Sequence, residues 1–160
     1  MLIKTKRLKI EPVTLDLLRK YKTEEYPISK EMPPHISWSI SELENDASFL
    51  GWGVWLIIEA KTNKIIGDIG FKGKPNAQGV VEMGYGVLPH ARKNGYATEA
   101  VEALCHWAFD ADNVKKILAD CLIDNLPSTK VLKKLGMTQI GSNGDLLLWE
   151  LTNTNQLLKS

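Results

Sequence analysis

The chain has 160 residues, 20 basic against 19 acidic, a formal charge of +1 and 44% hydrophobic residues. That length reads as one domain burying roughly two-thirds of its unfolded surface, and the interspersed, balanced charges exclude a basic nucleic-acid groove or membrane-binding face as the organising feature. Apolar runs such as Val54 to Ile58 fall well short of the ~18 residues of a membrane span, and Met1-Leu2-Ile3-Lys4 lacks a signal-peptide pattern, so a cytoplasmic location is expected.

In chain order, Leu2, Lys4, Lys6, Leu8, Ile10 and Pro12 outline a first strand with imperfect alternation. Thr14 is placed to cap a helix carrying Leu15, Leu17, Leu18 and Tyr21. Glu24 to Ser39, interrupted by Pro27, Pro33 and Pro34, shows no sustained period. A second helix is expected to start at Ser41, with Glu44 as its capping-box partner and Leu43, Ala47 and Leu50 on its apolar face. Val54–Ala60 and Lys64–Lys72 read as a hairpin around Thr62-Asn63, and residues 73–79 lead from it to a strand at Val80–Val87. Pro89 cannot donate to a ladder, so pairing should stop there. The recurrence of Ala97, Ala100, Val101, Leu104, Ala108 and Ala111 predicts a long helix starting at about Gly95. A strand at Lys115–Cys121 follows, then a short helix with apolar Val131, Leu132 and Leu135, capped by Asn125 or Asp124 and stopped at Gly136. A last strand occupies Gly144–Leu151. The domain is expected to span 1–152, with a polar tail at 153–160.

The two cysteines, Cys105 and Cys121, fall in a predicted helix and strand and read as small buried hydrophobes without a disulfide. His35, His90 and His106 are scattered without ligand spacing, so no metal is expected.

The junction between the strand at 80–87 and the long helix carries the chemistry. Where a helix follows a Gly turn, the N–H groups of Lys93, Asn94, Gly95, Tyr96, Ala97 and Thr98 have no partner inside the helix and lie at its positive dipole end. Phosphate oxygens suit that array. Gly95 and Ala97 keep it open to a bulky anion, and Arg92 and Lys93 add charge. By itself Arg92-x-x-Gly95-x-Ala97 is equally compatible with a βα turn whose basic residues are merely solvated. It is neither the dinucleotide G-x-G-x-x-G nor a P-loop.

A second segment, Asn125-Leu126-Pro127-Ser128 followed by an apolar helix ending in Leu135-Gly136-Met137, makes the pair specific. In order and separation the two motifs resemble those of the GNAT superfamily of N-acetyltransferases, whose pyrophosphate loop reads R/Q-x-x-G-x-G/A. They are similar in particular to its RimJ/RimL-like branch of ribosomal-protein acetyltransferases, with N-x-x-S and L-G-F, here with Met in place of Phe. The resemblance runs from Leu2 to Leu151. It implies a mixed, mostly antiparallel sheet flanked by helices, with central strands that splay apart after a bulge. It also implies acetyl-CoA as co-substrate, with no metal, and an amine acceptor, by direct attack on the thioester. The pantetheine arm would pair with N–H and C=O groups of Tyr85, Gly86, Val87 and Leu88, and an N–H near Val87 or Leu88 would face the oxyanion.

Glu82 matches the glutamate that many GNAT enzymes carry on this strand and is the candidate general base; otherwise it is a solvated surface carboxylate. Ser128 resembles the branch's serine beside the CoA sulfur, a hydrogen-bond donor to the departing thiolate; otherwise it satisfies local backbone in the first helical turn. Leu132 stands where many members place an acid tyrosine. Trp38, Trp52 and Trp55 are aromatic walls for an acceptor or core packing, and Glu24, Glu25 and Glu31 are an attractant for a cationic amine or a solvated face. The acceptor is expected to be a protein N-terminal α-amine, with a small-molecule amine such as an antibiotic or polyamine as the alternative. A non-catalytic acyl-CoA-binding module is the reading from another class, and a mononucleotide-binding regulator a more distant one. The protein would be a monomer or homodimer, without nucleic-acid or membrane partners.

Overall fold

Thr5 divides the first predicted strand in two, because its N–H turns back to the Leu8 carbonyl at 2.9 Å. The imperfect alternation is thus a tight hairpin, β1 (Ile3–Lys4) and β2 (Leu8–Pro12), in this computed structural model, which describes residues 1–20, 32–111 and 113–153. Helix α1 (Leu15–Lys20) is capped by the Thr14 hydroxyl, which accepts from Leu17 N–H at 3.0 Å. Tyr21, Glu24, Glu25, Pro27 and Glu31 lie outside the described residues.

Helix α2 runs from Pro34 to Asn45, well ahead of the expected start at Ser41, which sits inside it. Pro34 at the first helical position explains the early start: its missing N–H is one the helix leaves unpaired anyway. Ala47 and Leu50 fall beyond the helix, where Asp46 caps a short 3-10 turn at Ala47–Phe49. The hairpin β3 (Val54–Glu59) and β4 (Lys64–Phe71) leads to β5 (Val80–Val87). After a second 3-10 turn at Pro89–Ala91 comes α3 (Tyr96–Phe109), which ends before Ala111. Then follow β6 (Lys116–Leu122), α4 (Leu126–Lys134), β7 (Thr138–Asn143) and β8 (Leu146–Thr152). Strand β7 has no counterpart in the sequence reading. All six of its residues are exposed, so no apolar alternation marks it.

The strands form one sheet in the order β1-β2-β3-β4-β5-β6-β8-β7, antiparallel except where β5 meets β6. On one face α3 lays Ala100, Val101, Leu104, Cys105 and Ala108 against Leu8, Ile10, Trp55, Ile57, Val81, Met83, Ile117 and Trp149, with Leu132 of α4 beside them. On the other face α1 and α2 bury Leu17, Leu18, Ile36 and Ile40 against Leu56, Ile58 and Ile65. Cys105 and Cys121 are buried free thiols, and burial pushes Cys105 up to about 12. No helix among the described residues is long and apolar enough to cross a membrane.

Candidate active site

Strands β5 and β6 pair only from Val80↔Lys116 to Met83↔Ala119. Beyond that β6 continues with β8 as far as Leu122↔Leu146, while β5 continues with β4 as far as Gly67↔Val87. The two central strands therefore part after Met83. No bulge produces the opening, contrary to expectation: the β4–β5 register is unbroken, and the shift in this half of the sheet lies at Ile57/Ile58 of β3.

The alternating bonds of an antiparallel ladder decide which groups face that opening. Lys72 N–H donates to Glu82 O at 2.9 Å and Leu88 N–H to Ile66 O at 2.7 Å. The N–H and C=O of Glu82, Gly84 and Gly86 and the N–H of Leu88 are therefore directed at β4, the Leu88 C=O accepts from Ala91 N–H at 2.9 Å, and the groups of Tyr85 and Val87 are directed at the opening. Of the four residues expected to meet a pantetheine arm, Tyr85 and Val87 are suitably oriented, while Gly86 and Leu88 are not. The Val87 carbonyl is also taken, by Arg92 Nε at 2.9 Å.

The side chains alternate too. Val81, Met83, Tyr85 and Val87 point to the α3 face. Glu82, Gly84 and Gly86 point to the other, where a Cβ on either glycine would meet nothing within 4 Å. Around this bare strip stand Asp68 of β4, opposite Gly86, and Lys72, opposite Glu82. Lys72 Nζ lies 3.6 Å from Glu82 and 3.8 Å from Asp120 of β6. Asp68 is 3.0 Å from Nε2 of His35 on α2. Glu82 is thus an exposed, ion-paired carboxylate on the open face, with a second acidic centre across the strand.

At the other end of β5 the chain turns into α3. Gly95 is the N-cap at φ +77° and Lys93 stands at φ +66°, both in the left-handed region. The first amide with an acceptor in the helix is Glu99, which donates to Gly95 O at 3.1 Å; no N–H from Lys93 through Thr98 has a partner among the described residues. Gly95 is required chiefly for its positive φ, since a Cβ there would meet only Arg7 Nη2, at 3.4 Å. Asn94 Nδ2 ties the loop to Ala91 O at 3.1 Å and Arg92 O at 3.0 Å. The Tyr96 side chain turns away, donating to Glu59 Oε2 at 2.7 Å, and that bond lowers the Glu59 carboxyl and raises the phenol. Lys93 is exposed, and Ala97 and Thr98 offer backbone from the first turn.

Across the opening, Asn125 rather than Asp124 caps α4, its Oδ1 accepting from Ser128 N–H at 3.2 Å. The Ser128 hydroxyl makes no hydrogen bond to its own helix; Thr129 does, to Asn125 O at 3.2 Å. The Tyr85 hydroxyl is buried and has no hydrogen-bond partner among the described residues. Burial raises the Tyr85 phenol, with Ser128 working the other way, so it stays an O–H donor at neutral pH. Leu132 is fully buried, and the Tyr85 ring packs against the same core.

Sequence reasoning missed the Tyr85 hydroxyl, although alternation with Met83 and Val87 assigns it to the α3 face. It missed the His35–Asp68 pair, which only tertiary packing creates. Trp55 proves to be core and Trp52 packs partly buried against it: Trp107 lies between them, tilted against Trp52 at 4.9 Å and edge-on to Trp55 at 5.0 Å. Trp38, against Phe49 at 5.5 Å, keeps an exposed edge.

The acetyltransferase (GNAT) domain family matches residues 7–138. The chain belongs to the GNAT acetyltransferases. N-acetyltransferase YjdG of Bacillus subtilis is 30% identical over 149 residues, 85% of this chain and 89% of that one. Ribosomal-protein-S5-alanine acetyltransferase from Vibrio fischeri shares the fold at TM-score 0.69 and 16% identity, covering 97% of this chain and 98% of that one. So does a chimera of Vibrio cholerae spermidine N-acetyltransferase SpeG with hSSAT, at TM-score 0.71 and 13% identity, covering 96% and 99%. This GNAT protein is accordingly an acetyl-CoA-dependent acetyltransferase that transfers acetyl to an amine.

One further group braces the N-terminus of α3 in the GNAT domain. Glu99, in its first turn, accepts from Thr5 Oγ1, from Arg7 N–H at 2.9 Å and from Arg7 Nε at 2.7 Å. Burial alone would raise this carboxyl, but the Thr5 and Arg7 bonds outweigh it and hold it below the ordinary value. A depressed folded value contributes stability in full above the unfolded value of ~4.3 and loses it as pH falls through the folded one. Glu99→Gln is therefore expected to lower the thermal midpoint at pH 7. Thermal melts across pH should show the deficit shrinking below about pH 4; a deficit constant down to pH 2 would show that the charge is not what matters.

Proposed function

We propose that this protein acetylates a protein N-terminal α-amine in the cytoplasm, with Glu82 as general base and Ser128 beside the departing sulfur. The observation that carries the cofactor half is the run of six unpaired N–H groups from Lys93 to Thr98, beside the two residues of β5 whose amides face the opening. That array fits the pyrophosphate of acetyl-CoA, with Arg92 and Lys93 adding charge, and leads it to the parted strands. Tyr85 would pair with the pantetheine amides, while Val87, whose carbonyl is held by Arg92, keeps its N–H for the thioester oxygen.

Attack then comes from the face of Glu82, Gly84 and Gly86. An ammonium drawn to the carboxylates there loses its proton to Glu82, directly or through water, and the amine nitrogen bonds to the thioester carbon. The Val87 N–H faces the developing oxyanion. As the C–S bond breaks, the thiolate accepts hydrogen bonds from Ser128 and the Tyr85 phenol and takes up, through solvent, the surplus proton that the attacking nitrogen sheds on becoming an amide. An α-amine with pKa ~8 is more easily deprotonated than a lysine at ~10.4. The strip over the two glycines is open enough for an extended chain end, and the fold is shared with a ribosomal-protein-alanine acetyltransferase.

Asp68, Glu82 and Asp120 around that strip favour a second reading, a small polycationic amine, and the fold is shared with a spermidine acetyltransferase too. A panel of peptides with different first residues, assayed beside spermidine and aminoglycosides with radiolabelled acetyl-CoA, separates them. Turnover is expected on peptide α-amines at kcat/KM at least ~10-fold above any small amine. Preference for spermidine would establish the second reading, and CoA binding without turnover on any amine would mark an acyl-CoA-binding module.

A further inference from the structure

Arg7 lies 87 residues before Asn94 in sequence yet is the side chain most engaged with the loop ahead of α3. Its Nη1 donates to Asn94 O at 2.8 Å, its Nε to Glu99 Oε1 at 2.7 Å, and its guanidinium covers the Tyr96 ring at 4.4 Å from the centroid. Nη2 lies 3.4 Å from the point where a Gly95 Cβ would stand. A single planar group thus touches the Asn94 carbonyl, the Tyr96 ring and the Glu99 carboxylate, and stands beside Gly95.

The Asn94–Gly95 peptide is trans, so its C=O and N–H point in opposite directions. Holding the Asn94 carbonyl on Arg7 therefore turns the Gly95 N–H away from Arg7, to the side left free for an anion. The same guanidinium answers a second problem. Glu99 sits in the first helical turn, where an unpaired carboxylate would compete with a bound anion for the positive helix end. Arg7 and Thr5 occupy both of its oxygens and hold it toward β1 and β2.

We infer that Arg7 is a positioning residue for the donor substrate: it sets the orientation of the Asn94–Gly95 peptide and neutralises Glu99, so that the unpaired N–H groups converge on a pyrophosphate. This rests on the acetyl-CoA reading above and adds to it a residue far from the loop in sequence. Gly95, without a Cβ, allows other peptide orientations; the bond from Arg7 selects one.

The test compares CoA with pantetheine, which lacks the pyrophosphate and nucleotide. Calorimetry measures CoA, and ligand-observed NMR titration measures pantetheine, for the wild type, Arg7→Ala and the Arg7→Ala/Glu99→Gln pair. Wild-type CoA binding comes first, and its failure would strike the acetyl-CoA reading itself. Given that binding, Arg7→Ala is expected to weaken CoA by about ten- to a hundredfold, the loss of one or two charge-assisted hydrogen bonds, and to leave pantetheine within about twofold. The double variant should recover only part, because relieving the carboxylate does not restore the peptide orientation. Unchanged CoA affinity, an equal loss for both ligands, or full recovery in the double variant would each overturn the inference. If Arg7→Ala fails to fold, Arg7→Lys decides by the same readout, since an ammonium keeps the charge but not the planar fork that reaches Asn94 and Glu99 together.

Discussion

Replacing Gly95 with Trp is expected to weaken CoA binding by about a hundredfold or more while the protein stays folded. Two effects combine. A φ of +77° is strained for any L side chain, at a cost of about 1–3 kcal/mol, so the loop will relax out of the conformation that gathers its N–H groups. The new Cβ also starts 3.4 Å from Arg7 Nη2, so an indole there displaces the guanidinium that holds Asn94. Loss of two charge-assisted hydrogen bonds to a phosphate accounts for the magnitude. The strain is small beside a typical stability of about 5–15 kcal/mol, and Gly95 is exposed, so the core is untouched. Arg92→Ala should act more mildly and become less severe as salt is raised, because it removes screened charge and its bond to Val87 O but no backbone donor. Calorimetric titration of CoA at two salt concentrations checks both; a folded Gly95→Trp variant with wild-type affinity would place the pyrophosphate elsewhere.

The second large effect is expected at Glu82. Glu82→Gln preserves shape and leaves Lys72 with Asp120 at 3.8 Å, so the open face is not left with an unpaired lysine. What it removes is the ability to take a proton. Acetyl transfer should slow by ~10²-fold or more at neutral pH, with CoA affinity unchanged, if Glu82 is the general base. Raising the pH supplies neutral amine from solution, so the deficit should shrink as the pKa of the acceptor is approached. Ser128→Ala should also slow turnover, but without rescue by pH, since it bears on the leaving thiolate and not on the amine. Pre-steady-state rates from pH 6.5 to 9.5 distinguish the two. Wild-type rates in Glu82→Gln with a high-pKa amine would make Glu82 a surface carboxylate. Attention would then turn to His35 and Asp68, which stand beside the same glycine strip.

Elements marked by period or punctuation were readable from the chain alone. The β3–β4 hairpin, β5, α3 and α4 each carry their own local signal, apolar alternation or a helical stripe, so they are found where those signals place them, while the choice of Asn125 over Asp124 as the cap of α4 came from the structure. The run of unpaired N–H groups was readable for the same reason: they follow from local geometry at a helix start once Gly95 is recognised as the turn. Elements whose signal is not apolar were not. Strand β7 is held by pairing with β8 while all its side chains face solvent, and α2 starts at a Pro-Pro pair that reads as a break until its N-terminal position is known.

By itself the sequence determined the family, the order of most elements, and which residue types stand at the strand end and helix start. Tertiary structure decided how they are used. The ladder with β4 claims Gly86 and Leu88 and leaves Tyr85 and Val87 to the opening, a matter of register that no single strand encodes. Packing brings Arg7 and Thr5 onto Glu99, Tyr85 toward Ser128, and His35 onto Asp68. These contacts join residues far apart in the chain, and long-range contacts are set by how the sheet and its helices assemble, not by any spacing along the backbone.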